Sequence, residues 1–410
     1  MSGVGQAGSE AGAQARGGPR RIAYLSGTRA DFGLMRTTLL QIAATPGLAL
    51  ELIVTGQHLS AAHGHTVDEI RASGLAIAAE IPLDMSTRTG ASMSLGIADC
   101  LRGVTDALAR SKPDLLMLLG DRGEMLAGAI AALHLGIPSV HLHGGERSGT
   151  VDEPVRHAIS KLATHHLVAT AASRERLIAM GEDAARIHVT GAPGLDGLRA
   201  LGAMPRADCL RALGLATDAR FGLVVFHPVV QQAASAKQQT SALARALSAP
   251  GLPLVWLEPN ADAGARGVLE ALDEAQAAGH AADHAKGQGG SNWPAGSRRV
   301  THLSRPLFAA ALAHCEWLAG NSSAGIIEAA TFGTPVLNVG DRQRLRERAG
   351  NVVDAEPQQE ALASGLAQVQ ALGRRPWENP YGDGQAAGRI AALLATLPLD
   401  PALLEKSNTF

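Results

Sequence analysis

The chain is poor in aromatic residues, which make up 3% of its 410 positions, and poor in cysteine, with thiols only at Cys100, Cys209 and Cys315. Three widely spaced cysteines without a Cys-x-x-Cys pair suggest neither a disulfide framework nor a structural zinc site, and they fit a reducing compartment. An excess of charge of one sign is missing as well: 36 Lys and Arg stand against 38 Asp and Glu, a formal net charge of −2. Without a global basic field, nucleic acid and anionic membranes are poor partners, and an anionic ligand has to be met by a local site. No run approaches the roughly 20 uninterrupted apolar residues that a membrane-spanning helix needs. The first twenty residues are rich in Gly, Ala, Ser, Gln and Arg and lack the apolar centre of an export signal. A cytoplasmic location is expected, and residues 1–19 are read as a flexible tail.

What the chain does have is aliphatic surface. Hydrophobic residues are 46% of the sequence and are mostly Ala, Leu, Val and Ile, enough to fill ordinary cores. The length argues for two domains. From Arg21 onward, short β-branched or Leu-rich runs alternate with longer Ala-rich amphipathic segments, the pattern of an α/β chain with parallel sheets. Strands are expected at 22–26, 50–55, 114–119, 139–143, 166–169 and 186–190, with helices at 34–44, 66–73, 92–111, 124–135 and 152–163. A break follows at 190–205, where Gly191, Pro193, Gly194, Gly197, Gly202 and Pro205 cluster as in an interdomain connection. The alternation then restarts, with strands at 222–226, 252–257, 300–303, 317–319 and 335–338 and helices near 234–247, 306–314, 323–331 and 357–372. Residues 278–297, rich in Gly, Ala, Ser and His, read as a solvated loop, and 381–397 as a last helix. The halves are 20–195 and 196–376.

In open parallel sheets ligands bind beyond the carboxyl ends of strands, so the loops that follow strands are where chemistry is to be sought. The first, Gly-Thr-Arg-Ala-Asp-Phe-Gly at 27–33, offers Arg29, whose planar fork of donors suits a phosphate. The plain alternative is a helix cap at Asp31 with Arg29 on the surface. The second, Leu-Gly-Asp-Arg-Gly-Glu at 119–124, sets Asp121 and Glu124 around Arg122. A neighbouring arginine keeps a carboxylate ionised, which favours a base or orienting role for Asp121 over a protonated acid, unless it merely caps a helix. The third, from His141 to Glu153, is the densest in titratable groups, with His143, Glu146 and Asp152 among Gly144, Gly145 and Gly149, and Arg156 and His157 just beyond. On a strand His141 and His143 would share a face, yet no clear third ligand accompanies them, so a metal is not expected. A cluster of this polarity at a strand end points to catalysis.

The fourth loop, Gly-Asn-Ser-Ser-Ala-Gly at 320–325, follows a strand and opens a helix carrying Glu328. Hydroxyls of Ser322 and Ser323 together with free helix amides suit an anion, and Glu328 suits sugar hydroxyls. Ordinary N-capping by serine is the competing account. No P-loop pattern and no convincing Gly-x-Gly-x-x-Gly occurs, which speaks against kinases, ATPases and nicotinamide dehydrogenases. His227-Pro, Pro259-Asn-Ala-Asp and Gly340-Asp-Arg-Gln-Arg-Leu-Arg also follow expected strands.

Taken in order, GTRADFG, LLGDRGEMLAGA, HLHGGERSGTVDEPVRHAISKLATHH, the HPV after Phe226, PNAD, GNSSAGIIEAATFGTPVLNVGDRQ and NPYGDG form one pattern. From about Arg21 to Leu397 the chain resembles the hydrolysing UDP-N-acetylglucosamine 2-epimerases of sialic-acid and related nonulosonic-acid synthesis. The resemblance implies a GT-B-like fold: two Rossmann-like domains with the nucleotide sugar in the cleft between them, and a C-terminal helix in 377–410 crossing back to the first domain. It implies a UDP-sugar substrate with no metal and no nicotinamide cofactor, and a homo-oligomer, dimer or tetramer, is expected.

Carried over residue by residue, the resemblance makes Arg29 a uridine or phosphate contact, Ser322 and Ser323 the diphosphate pair, Glu328 the ribose ligand and Arg342 a residue of the base pocket. His227, Asn260, Asp262 and His302 match cleft positions of the second domain. Asp121 and Asp152 correspond to catalytic carboxylates, with Arg122 and Glu146 beside them. At position 143, members acting on UDP-N-acetylglucosamine commonly carry glutamate, whereas a histidine such as His143 is frequent in the branch that handles UDP-2,4-diacetamido-2,4,6-trideoxy sugars. The implied reaction is anti elimination of UDP across carbons 1 and 2 to a 2-acetamidoglycal, then syn addition of water. Asp121, His143, Glu146 and Asp152 are the candidates for moving protons. A GT-B glycosyltransferase, a non-hydrolysing epimerase and a silent UDP-sugar binding module are the rival readings.

Overall fold

A computed structural model describes residues 18–86, 89–148, 152–259, 262–285 and 293–409. The strands of the first half are β1 (Arg20–Ser26), β2 (Leu48–Thr55), β3 (Ile77–Ile81), β4 (Leu115–Leu119), β5 (Ser139–Leu142), β6 (His165–Val168) and β7 (Ile187–Val189). Among the described residues they form one parallel sheet in the order β3-β2-β1-β4-β5-β6-β7. The second half repeats the design with β8 (Gly222–Val225), β9 (Leu254–Leu257), β10 (Arg298–Val300), β11 (Trp317–Gly320), β12 (Val336–Val339) and β13 (Val352–Ala355), ordered β10-β9-β8-β11-β12-β13 and again parallel. The central strands are continuous apolar runs because helices cover both faces; all five residues of β4, Leu-Leu-Met-Leu-Leu, are buried.

In each sheet the order reverses direction at one place, between β1 and β4 and between β8 and β11. Such a switch point opens a crevice at the carboxyl ends, because the connections on its two sides leave in opposite directions. The loops holding Arg29 and Asp121 flank the first crevice, and those holding His227 and Ser322 flank the second.

The helices of the first half are α1 (Arg29–Ala43), α2 (Val67–Ala72), α3 (Gly90–Ser111), α4 (Gly123–His134), α5 (Asp152–Leu162) and α6 (Ala171–Ala179). Those of the second are α7 (Leu198–Leu201), α8 (Arg206–Ala212), α9 (Ala236–Ser248), α10 (Ala265–Ala285), α11 (Arg305–His314), α12 (Ser323–Ile327), α13 (Gln359–Leu372) and finally α14 (Ala386–Thr396). The last helix does cross back. Ile390, Ala391 and Leu394 of α14 join Met35, Leu39 and Ile42 of α1 in the core of the first sheet. Its N-terminus is capped at long range: the Asp196 carboxylate accepts from the backbone of Ala386 at 2.9 Å and of Ala387. The two chain crossings lie side by side, with Ala192 N–H donating to the Tyr381 carbonyl at 2.8 Å.

Several sequence expectations need correction. Helix α1 begins at Arg29 and not at 34, because Thr28 and Asp31 form a capping box that satisfies the first amides. The expected loop at 278–297 is helical up to Ala285, since alanine-rich sequence propagates α10; residues 286–292 lie outside the described residues, as do 1–17 of the expected tail. The helix expected over 323–331 breaks at Glu328 and continues as a 3-10 turn, Ala329–Phe332. The last helix starts at Ala386 rather than 381. Strands β3 and β13, and helices α6, α7, α8 and most of α10, lie outside the expected elements; β3 and β13 are half-exposed edge strands whose apolar signal is weak.

Candidate active site

Between the two crevices lies a cleft of about 290 Å³. Arg29, Gln57 and Glu69 line it from the first half, and His227, Ser322, Ser323 and Glu328 from the second. The turn after β1 is held by Asp31, whose buried carboxylate accepts from Gly27 N–H at 2.9 Å and Thr28 N–H at 2.7 Å. Arg29 is thereby the first residue of α1, facing the cleft. Burial lowers its pKa from the ordinary value and the Glu69 carboxylate opposes that shift. Glu69 also accepts from His302 Nε2 at 3.1 Å, so His302 approaches the cleft through an interdomain contact.

On the opposite wall, Gly320 has φ +136°, and a Cβ there would lie 2.0 Å from the Val225 carbonyl, so only glycine lets β11 turn this close to β8. Asn321 then clamps the His227 backbone, accepting its N–H and donating to its carbonyl, both at 2.8 Å. Ser322 caps α12, accepting from Ala324 N–H at 3.4 Å. Glu328 is buried with Oε2 accepting from Arg305 at 2.7 Å, and Arg305 also donates to the Gly194 carbonyl at 2.7 Å.

Next to the cleft the acids and imidazoles gather. Asp121, beyond β4, pairs with Arg156 of α5. Burial would raise the Asp121 carboxyl, but Arg156, Arg346, Arg342 and Arg122 together hold it below the usual range, so it is ionised. His143 stands at the end of β5 with φ +60°, a left-handed conformation uncommon outside glycine, which ends the strand alternation expected to align it with His141. His141 instead faces inward, with Nε2 on the Gly120 carbonyl at 2.7 Å and Nδ1 on Ser160 Oγ at 2.9 Å. His143 Nδ1 lies 2.5 Å from Glu146 Oε1. Burial first, then the Arg346 and Arg156 guanidiniums, push the His143 ring down to about 3, so it is neutral at pH 7. A carboxylate only accepts, which makes Nδ1–H the donor and leaves Nε2 as the acceptor of the ring. Gly145 supports this turn: a Cβ would meet the Ser173 carbonyl at 2.4 Å, at φ +73°.

The cleft and this cluster are joined by arginines. Arg342 donates to the Asn321 carbonyl at 3.2 Å and lies 3.7 Å from Asp152. Arg122 bonds Glu124 at 3.2 Å and stands 3.9 Å from Asp262. Arg346 pairs with Glu146. Burial and then Arg342 and Arg122 push the His227 imidazole to about 3, which sets His227 among the same arginines.

Over residues 40–395 the sequence matches the profile of a family described as UDP-N-acetylglucosamine 2-epimerase. The chain belongs to that family. It is 44% identical to the UDP-N,N'-diacetylbacillosamine 2-epimerase (hydrolyzing) of Legionella pneumophila, over 95% of this chain and 100% of the relative. It is 30% identical to the UDP-N-acetylglucosamine 2-epimerase of Neisseria meningitidis serogroup B, over 89% of this chain and 91% of the relative. Among solved structures, the Neisseria meningitidis UDP-GlcNAc 2-epimerase bound to UDP-GlcNAc superposes with a TM-score of 0.74 at 17% identity, covering 91% of this chain and 99% of that one. The Methanocaldococcus jannaschii enzyme in complex with UDP-GlcNAc and UDP gives 0.71 at 17% identity, with the same coverage. These two likenesses establish that the family fold is present.

Within this member of the family, Arg29, His227, Ser322, Ser323 and Glu328 share the cleft, while Asp121, His143 and Glu146 form the cluster beside it. Asp152, Arg342, Arg122 and Asp262 stand between, and Asn260 lies outside the described residues. Among the described residues no three His, Cys, Asp or Glu side chains converge as metal ligands, and no helix is long and apolar enough to cross a membrane. Residues that sequence reasoning did not single out are Arg346, Arg305, Glu69 and the pairing of Arg156 with Asp121. Arg346 had one local signal, four residues past Arg342 in the same loop.

Proposed function

We propose that this chain is a hydrolysing 2-epimerase that removes UDP from a UDP-N-acetylated hexosamine and inverts carbon 2. The observation that carries the reading is the double approach of Arg342, to the Asn321 carbonyl beside the serine pair and to Asp152, which stands on α5 one turn before the Arg156 that pairs with Asp121. A diphosphate and the carbon it leaves can then sit within one cleft. The hydrolysing name of the 44% identical relative supports UDP-N,N'-diacetylbacillosamine as substrate, giving 2,4-diacetamido-2,4,6-trideoxymannose and UDP; His143 agrees with that choice over UDP-N-acetylglucosamine.

In the first step a base takes the carbon 2 proton while the bond from carbon 1 to the diphosphate oxygen breaks. Arg29, Ser322 and Ser323 stabilise the charge on departing UDP, Glu328 holds the ribose, and Arg342, with His227, Asp262 and His302, completes the nucleotide pocket. Neutral His143, with Nε2 as its acceptor, is assigned as the base. Ionised Asp121, with Asp152 and Arg122 beside it, serves the addition of water, which returns a proton to carbon 2 and hydroxide to carbon 1. Glu146 is fully buried with both oxygens taken, so its role is to orient. Domains 20–195 and 196–376, with 377–410 returning to the first, close on the nucleotide, with 190–205 and the residues before Tyr381 as the hinges. A homo-oligomer acting in the cytoplasm, in nonulosonic-acid synthesis, completes the reading.

Incubation of the purified chain with each UDP-sugar alone, followed by NMR, tests it. Free UDP and the 2-epimerised sugar are expected. A product that retains UDP, or no turnover without an acceptor, overturns it.

A further inference from the structure

The loop after β12 reaches out of the second half and grips the turn that carries His143. It does so at two points, Arg346 on Glu146 and Glu347 on Arg176 at 2.6 Å, while Arg176 also donates to the Gly145 carbonyl. The loop is braced from behind by Gln343 donating to the Asn321 carbonyl at 3.2 Å and Arg348 pairing with Asp354 at 2.6 Å. Glu146 is 0% exposed and the Arg346 side chain 8%, so this is a desolvated pair between the two halves and no surface contact.

We propose that Arg346 is a positioning residue of the reaction: by occupying Glu146 Oε2 from the opposite half, it leaves Oε1 to fix the His143 ring with Nδ1 as donor and Nε2 as acceptor. The base is therefore assembled only when the two halves meet. The argument is one of charge placement. Four groups face His143 or its partner: Glu146 on its own turn, Arg156 from α5, Asp121 from the loop after β4, and Arg346. With Arg346 present, the Glu146 charge is balanced by a guanidinium. With it gone, the buried carboxylate keeps its charge without a guanidinium partner, and a proton on His143 Nε2 offsets that charge by making an imidazolium–carboxylate pair. An imidazolium cannot accept a proton from carbon.

The proposal rests on the functional reading above. The experiment compares wild type, Arg346→Gln and Arg346→Lys for kcat and KM from pH 5.5 to 8.5, with UDP affinity by calorimetry and folding by circular dichroism. In Arg346→Gln, kcat is expected to fall, and to fall further at pH 5.5 than at pH 8.5, because removing one of the charges that press the ring down raises its pKa, whereas wild type shows no such slope. KM and the UDP Kd stay within about twofold, and Arg346→Lys keeps the profile of wild type. A flat loss at every pH, an unchanged profile, or a parallel loss of UDP affinity overturns it. If wild type releases no UDP, the functional reading fails, and NMR titration of His143 still decides this inference: its pKa must be higher in Arg346→Gln than in wild type.

Discussion

Asn321 holds His227 by both ends of its side-chain amide, each hydrogen bond being 2.8 Å long. The two residues follow β11 and β8, neighbours across the switch point of the second sheet, so one side chain closes the crevice floor and sets the entry to the Ser322-Ser323 turn. Asn321 is buried, and its own carbonyl receives Arg342 and Gln343. Asn321→Ala leaves the His227 amide and carbonyl without these partners, which costs about 1–3 kcal/mol. A lower Tm and weaker UDP binding are expected together; thermal melts and calorimetry check both.

Ser322 and Ser323 face the cleft, and α12 behind them has only five residues, so the anion is held by local donors more than by a long helix dipole. Each Ser→Ala change should weaken UDP by about 0.5–1.5 kcal/mol, about twofold to tenfold in Kd. Calorimetric titration with UDP measures it, and unchanged affinity in the double variant would remove the pair from the diphosphate site.

His143→Gln should lower kcat by about 10²- to 10⁴-fold while sparing UDP affinity. The wild-type ring, pushed to about 3 by burial and then by Arg346 and Arg156, stays neutral as pH falls from 8 to 5. Its protonation, and with it loss of the base, comes only as pH approaches 3. A rate profile of kcat is therefore expected to show no limb from this group between pH 5 and 8, and a limb near pH 6.5 that vanishes in the variant would contradict the assignment of its environment.

On the far side of the first sheet, buried Glu182 accepts from His166 at 2.9 Å, Lys161 at 2.7 Å and Lys406 at 2.5 Å. Burial alone would raise this carboxyl, but the three donors hold it at about 2, below the ordinary 4.5. A carboxylate depressed in the folded state contributes stability above its unfolded pKa and loses it as pH falls from about 4.5 to 2. Glu182→Gln should melt lower than wild type at pH 7, and the gap in Tm should narrow through that window.

The loops at 27–33, 119–124, 141–153 and 320–325 were legible because each is a local statement: an apolar strand, then glycines and polar groups where the strand must end. Arg29 and Ser322 could be placed at strand ends without knowing the fold. Edge strands β3 and β13 were not legible, since half-exposed strands carry little hydrophobic contrast. The partner of Glu146 was not legible either, because Arg346 lies 200 residues away.

The alternation of central strands with helices, the two-half architecture and the family were determined by residue pattern alone, because periodicity and turn chemistry act over a few residues. Which acids are ionised, which imidazoles are neutral and which arginine faces which carboxylate were decided by the tertiary structure. Those properties depend on burial and on distances of a few ångströms between side chains from opposite halves, and such distances exist only once both sheets have formed and met.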